Sequence, residues 1–178
     1  MTRHTPERHY FSADLPLYGP HPFLLQPAIY AVAVYRFGRY TLTAPRLLRA
    51  PLHALYFFLY SVTRLITGID IPRSARIGPG LLIHHFGGII LHPGTRIGAN
   101  CTLRHGVTIG ARTGTGAPVI GHGVAIGAYA QLLGDITIGD RASIGAMAVV
   151  LINVPEGARA VGNPARILPA KLITKPTD

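Results

Sequence analysis

Large aliphatic residues recur every six positions over nearly half of this chain. They fall at Ile71, Ile77, Ile83 and Ile89, then after a two-residue slip at Ile97, Leu103 and Ile109. After a longer interruption the series resumes at Ile120 and runs through Ile126, Leu132, Ile138 and Ile144 to Val150. Glycine follows the aliphatic at Gly78, Gly98, Gly110, Gly121, Gly127, Gly139 and Gly145. An α-helix repeats apolar residues at about 3.6 and a half-buried strand at about 2, so a period of six needs another geometry. A coil of three short strands supplies it: each hexapeptide gives one strand and one corner, the aliphatic points into a narrow triangular interior, and a small residue eases the turn. A second inward position four residues after the aliphatic is small or β-branched, as at Cys101, Val107, Val124, Ala130, Ile136, Ala142 and Ala148, which suits a narrow prism. The expected class is mainly β, a parallel β-helix over residues 70–168, with an N-terminal helical segment over 1–69 and a C-terminal tail over 169–178.

In the front third the six-residue phase is absent and proline recurs at Pro6, Pro16, Pro20, Pro22, Pro27, Pro45 and Pro51. Two helices are expected there, one from about Ala28 to Tyr40 and one from Pro51, a favourable first-turn proline, to Ile66 before Gly68. The second is apolar almost all round, shorter than the ~20 residues that span a bilayer, and contains Arg64. Two places suit such a helix. It is buried against the β-helix or a neighbouring subunit, or it lies in a membrane interface beside Arg46, Arg49 and Arg64, with residues 46–66 as the contact.

Composition adds two constraints. Only 13% of residues are charged, yet 17 Lys and Arg face 7 Asp and Glu, a net charge of +10 that suits an anionic partner as well as plain solubility. Cys101 is the single cysteine, so no intrachain disulfide and no cysteine-based metal cluster can form. The polar start Met1-Thr2-Arg3-His4-Thr5-Pro6 lacks the apolar run of a secretory signal, and a cytoplasmic location is expected, with the inner face of the membrane as the place for peripheral contact. No aromatic and basic interleaving points to nucleic acid.

Thr67-Gly68-Ile69-Asp70-Ile71, Arg76-Ile77-Gly78-Pro79-Gly80, Gly106-Val107-Thr108-Ile109-Gly110 and the closing Gly162-Asn163-Pro164-Ala165-Arg166-Ile167 resemble the hexapeptide-repeat acyltransferase superfamily. Within it they are similar to the serine acetyltransferases and to the colanic acid type of exopolysaccharide acetyltransferase, over about residues 67–168. The resemblance implies a left-handed coil, a homotrimer, acetyl-CoA as co-substrate, no metal, and O-acetylation of a hydroxyl.

Moving an acetyl group from a thioester to an alcohol needs a base, donors for the developing oxyanion, and a slot for coenzyme A. Histidine is the natural base. Among nine histidines, His85 and His105 each follow an inward aliphatic, Ile83 and Leu103, by two residues. Their separation of twenty is one eighteen-residue coil plus the slip, so they stack on adjacent coils if the slip is confined to a turn. A solvated surface pair is the alternative. By resemblance His85 matches the catalytic histidine, Asp70 the aspartate that orients it, and His105 a histidine of the sugar-acetylating relatives.

Departures from the pattern bear on the acceptor. His84 stands where the serine acetyltransferases carry a substrate-binding aspartate, and Gly116 and Ala117 stand where an arginine and a histidine grip the amino acid. The Ala111–Pro118 loop is shorter than in the family, with Arg112 in place of its lysine. These departures put a sugar or polysaccharide precursor first as acceptor and serine second. For coenzyme A the resemblance implies Gly110, Ala128, Ala130 and Ala146 as small positions along the pantetheine arm, and Arg112 and Arg166 toward the phosphates, with Arg159 and Lys171 beside them. Two further classes remain open: a metal enzyme of the γ-carbonic anhydrase type, for which His122 has no histidine partner at position 117, and a non-catalytic trimeric scaffold.

Overall fold

The computed structural model describes residues 9–168 apart from residue 115. The 169–178 tail and Lys171 lie outside the described residues. The architecture is a β-solenoid of about five turns preceded by helices. Its first face is a five-stranded sheet of β1 (Ile69–Asp70), β4 (Ile89–Leu91), β7 (Thr108–Gly110), β10 (Gln131–Leu133) and β13 (Val149–Val150). The second face has four strands, β2 (Arg76–Ile77), β5 (Arg96–Ile97), β8 (Val119–Ile120) and β11 (Thr137–Ile138). The third has six, β3 (Leu82–His84), β6 (Thr102–Arg104), β9 (Ala125–Ile126), β12 (Ser143–Ile144), β14 (Arg159–Val161) and β15 (Arg166–Leu168). All pairings are parallel except the last, where β15 turns back antiparallel on β14.

The six-residue series fills the prism. Ile77 stands opposite Ile97 and Ile120, and Ile83 opposite Leu103 and Ile126, all of them buried. One detail differs from the sequence reading: Ile89 pairs with Ile69, whereas Leu91 pairs with Ile109. The slip therefore falls between Ile83 and Leu91, in the turn holding Gly87 and Gly88, one strand earlier than expected. Ile89 misled because it also points inward, at the narrower of the two interior positions.

The helices, including the single turn α2 (Pro22–Leu25), close the open end of the first coil. Helix α3 (Ala28–Thr43) buries Ala28, Ile29, Val32, Tyr35 and Arg36 at helical spacing, and ends because Ala44 precedes Pro45 and turns extended. Helix α4 (Arg46–Thr67) begins five residues before Pro51, which is accommodated near the exposed start of the helix, and ends on Gly68 at φ 64. Gly38 lets the two helices approach, since a Cβ there would enter the Tyr56 ring.

Strands β2 and β3 have no strand before them, and their edges would invite a foreign strand. Side chains take the missing strand's place. The Tyr35 hydroxyl accepts from the Ile77 N–H at 3.0 Å and donates to the Ala75 carbonyl at 2.9 Å. The Tyr18 hydroxyl does the same for Ile83 and Leu81, at 3.0 and 3.3 Å. Arg36 donates to the carbonyls of Ile77 and Gly78, both at 2.6 Å, and pairs with Asp14 at 2.8 Å, whose other oxygen accepts from the Leu81 N–H at 2.8 Å. The α1 helix (Tyr10–Asp14) exists to deliver that carboxylate to a fully buried point.

Candidate active site

The edge between the third and first faces gathers the expected chemistry. His85 closes β3 and His105 follows β6 in the same register, and their rings meet edge to face with centroids 5.7 Å apart. The slip is confined to the turn after His85, which is why the pair stacks. His85 is exposed and sits at φ 64, a left-handed conformation that histidine tolerates better than most side chains. His105 is half-buried between His85 and Tyr129, whose ring lies 5.0 Å away, and its Nδ1 is buried with no hydrogen-bond partner among the described residues. Register carries the column on: Leu103 pairs with Ile126 and Ile126 with Ile144, so Ala128 and Ala146 occupy the positions equivalent to His105 on the next two coils. From His85 to Ala146 is three coil steps, about 14 Å.

Tyr129 holds His105 from the far side and lies over Gly106. A Cβ on Gly106 would enter that ring, and Gly106 is at φ 70, so Gly106→Ala is expected to destabilise the fold by about 1–3 kcal/mol. Urea unfolding measures this, and Tyr129→Ala added to the same chain should restore the steric part.

Asp70 does not reach His85 by a hydrogen bond among the described residues. It stands outward on β1, opposite Ile90, and α4 lies across that face. Its carboxylate accepts from the Tyr60 hydroxyl and, at 3.3 Å, from Arg64, both on α4. Burial and the Asp70 carboxylate together push the Tyr60 phenol up to about 12. Among the described residues the carboxylate is clamped to the helix cap, because α4 supplies two donors to the outward face of the first strand. Asp70 and Tyr60 instead line a cleft of about 330 Å³ with His92, Ile90, Thr108 and Gly110. His92 accepts from the Gly94 N–H through Nδ1 at 3.1 Å, which leaves Nε2 for a ligand. Sequence reasoning missed His92 and Tyr60; the signal for His92 was its place directly after the inward Leu91 and before Pro93.

The positions expected along coenzyme A are spread over several places. Ala128 and Ala146 are accessible on the His85 edge, Gly110 lines the Asp70 cleft, and Arg112 lines a separate cleft of about 360 Å³ with Gly116, Leu133 and Asp135. Ala130 is fully buried in the prism, at the inward position its own six-residue phase assigns it, which leaves its backbone as the part that faces outward. Arg166 is exposed on β15. His84 lies outward on the third face in a cleft of about 250 Å³ with Arg104, Ser143 and Arg159, a basic strip without a carboxylate in its lining. Arg104 was not expected, although its outward position next to Leu103 marks it.

A family model described as bacterial transferase hexapeptide (six repeats) matches residues 117–151. A serine acetyltransferase of Helicobacter pylori strain 26695 is 40% identical over 156 residues, covering 82% of this chain and 83% of its own. This chain belongs to the serine acetyltransferase group of the hexapeptide-repeat transferases. It is an acetyltransferase. The putative colanic acid biosynthesis acetyltransferase WcaB of Escherichia coli K12 is similar as well, 44% identical over 120 residues, 66% of this chain and 72% of its own. Among solved structures, the Neisseria gonorrhoeae serine acetyltransferase superposes with a TM-score of 0.80 at 32% identity, over 94% of this chain and 67% of that one. The soybean serine acetyltransferase apoenzyme gives 0.77 at 36% identity, over 91% and 69%. The similarity to these transferases extends through the helical cap as well as the solenoid.

Proposed function

We propose that this acetyltransferase moves the acetyl group of acetyl-CoA to the hydroxyl of serine, with His85 as the base. The observation that carries it is the His85 and His105 pair on one solenoid edge in a chain so similar to serine acetyltransferases along most of its length. This reverses the order expected from the sequence, where a sugar hydroxyl came first. A sugar remains the second reading, supported by the likeness to WcaB and by His84, Gly116 and Ala117 at positions where the serine acetyltransferases grip the amino acid.

His85 takes the acceptor's hydroxyl proton as the oxygen attacks the thioester carbonyl. Backbone N–H groups hold the oxyanion, and its collapse expels the coenzyme A thiolate, which takes the proton back from the imidazolium. His105 is a positioning residue whose ring edge fixes His85. Coenzyme A fits the small Ala128 and Ala146 along the same edge, with Arg104, Arg159 and Arg166 on the adjoining third face toward its phosphates. Asp70, tied to α4, shapes the cleft beside His92. A homotrimer and a cytoplasmic location belong to the same proposal, the latter supported by the buried free thiol of Cys101.

Thiol release from acetyl-CoA against serine, free sugars, nucleotide sugars and oligosaccharides is the test. Turnover with serine is the expected result. Turnover with a saccharide alone moves the acceptor to the second reading, and none with any hydroxyl acceptor overturns both.

A further inference from the structure

A histidine beside a catalytic base is ordinarily oriented by a hydrogen bond from one ring nitrogen to a carboxylate or a backbone carbonyl. His105 has none: its Nδ1 is buried without a partner, and its ring makes no hydrogen bond among the described residues. Two neighbouring rings are left to fix it. His85 meets it with centroids 5.7 Å apart and planes at 77°, and Tyr129 meets it at 5.0 Å and 86°. His85, His105 and Tyr129 therefore form a row of three rings on successive coils, each edge to face with the next, an arrangement that the ring quadrupoles favour.

Burial does not explain a tyrosine at position 129. The residue is 58% exposed, and its hydroxyl makes no hydrogen bond among the described residues. Its backbone is at φ 58, where an aromatic residue is strained. The corner imposes that conformation, since Gly106 and Met147 on the coils to either side are at φ 70 and φ 59, and the Tyr129 N–H donates to the His105 carbonyl at 2.9 Å. Glycine would meet the same demand without strain. What tyrosine adds is its ring, which leans back over Gly106 to reach His105. Gly106 leaves room for it, because a Cβ there would enter the ring. Positions 106 and 129 are thus matched to seat one ring against one imidazole. We propose that Tyr129 is a positioning residue for acetyl transfer, holding His105, and through it His85, in the orientation in which the base meets the acceptor hydroxyl. The inference rests on His85 being that base.

Tyr129→Asn removes the ring with a residue that suits a left-handed corner, so the fold is kept. With the acceptor that the thiol-release test identifies, kcat should fall about 3–10-fold, the worth of one edge-to-face ring contact, while the KM for acetyl-CoA stays within about twofold. Tyr129→Phe keeps the ring and should recover most of that loss. On a His105→Asn background, Tyr129→Asn should change kcat by less than about twofold, because the ring it holds is already gone. An unchanged kcat in Tyr129→Asn, a loss confined to the KM for acetyl-CoA, a loss that phenylalanine does not recover, or a loss that persists in full without His105 overturns the proposal. Proton NMR of the His85 and His105 rings, assigned with the His85→Asn and His105→Asn variants, needs no turnover. Both sets of signals should move in Tyr129→Asn and keep close to their places in Tyr129→Phe. Unmoved signals in Tyr129→Asn overturn the role of Tyr129 alone, whereas no turnover by the unchanged protein with any acceptor overturns the reading of the site and this role with it.

Discussion

Replacing His85 by asparagine should reduce acetyl transfer from acetyl-CoA by about 10²–10⁴-fold with the unfolding midpoint unchanged. Asparagine is the informative substitution because His85 sits at φ 64, where asparagine is at ease, so the backbone of the turn before Gly87 is kept while the base is removed. His85 is exposed and its side chain makes no hydrogen bond among the described residues, so stability has no reason to change. His84→Asn, one residue earlier on the outward side of β3, should act on the KM for acetyl-CoA and change kcat only a few-fold, since His84 lines the Arg104 and Arg159 cleft proposed for the phosphates. His105→Asn should lie between the two, with most of its loss in kcat rather than KM, because it acts by fixing the His85 ring. Undiminished turnover in His85→Asn would remove the proposed base.

What could be read from the chain was what a narrow prism forces on it. Ile77, Ile97 and Ile120 had to repeat at fixed spacing because each must fill the same slot one coil up, and His85 and His105 inherit that register by lying two residues beyond Ile83 and Leu103. Ala130 shows one limit of phase, which places its side chain inside but does not say what its backbone meets. Asp70 shows a different limit. Spacing gives its coil and its outward direction, but its partners come from α4, and nothing in a six-residue period says that Tyr60 and Arg64 will lie across that face. The start of α4 was misplaced for a local reason: Pro51 reads as a first-turn proline, and the earlier proline, Pro45, is the one that sets the helix start. The polar cap was illegible because Asp14, Tyr18, Tyr35 and Arg36 are scattered through a segment without period and converge only on the backbone of the first coil.

That cap carries the largest expected effect on stability. Asp14→Ala should cost about 3–5 kcal/mol, a large share of the ~5–15 kcal/mol that holds an ordinary domain together. The change leaves the Arg36 guanidinium buried without its carboxylate and the Leu81 N–H without an acceptor. Buried ion pairs can often be exchanged for apolar residues at little cost, so Asp14→Leu with Arg36→Met is the sharper test. Here the exchange should not restore stability, because the pair also satisfies the carbonyls of Ile77 and Gly78 and the N–H of Leu81, and those groups stay buried and unpaired in the double variant. Urea unfolding should therefore rank the double variant well below the unchanged protein. Light scattering on refolding should rise in both variants, because the edges of β2 and β3 are freed to accept a strand from another chain. Near-native stability of the double variant would mean that the pair neutralises its own charge and little more, and that the two tyrosines alone close the end of the solenoid.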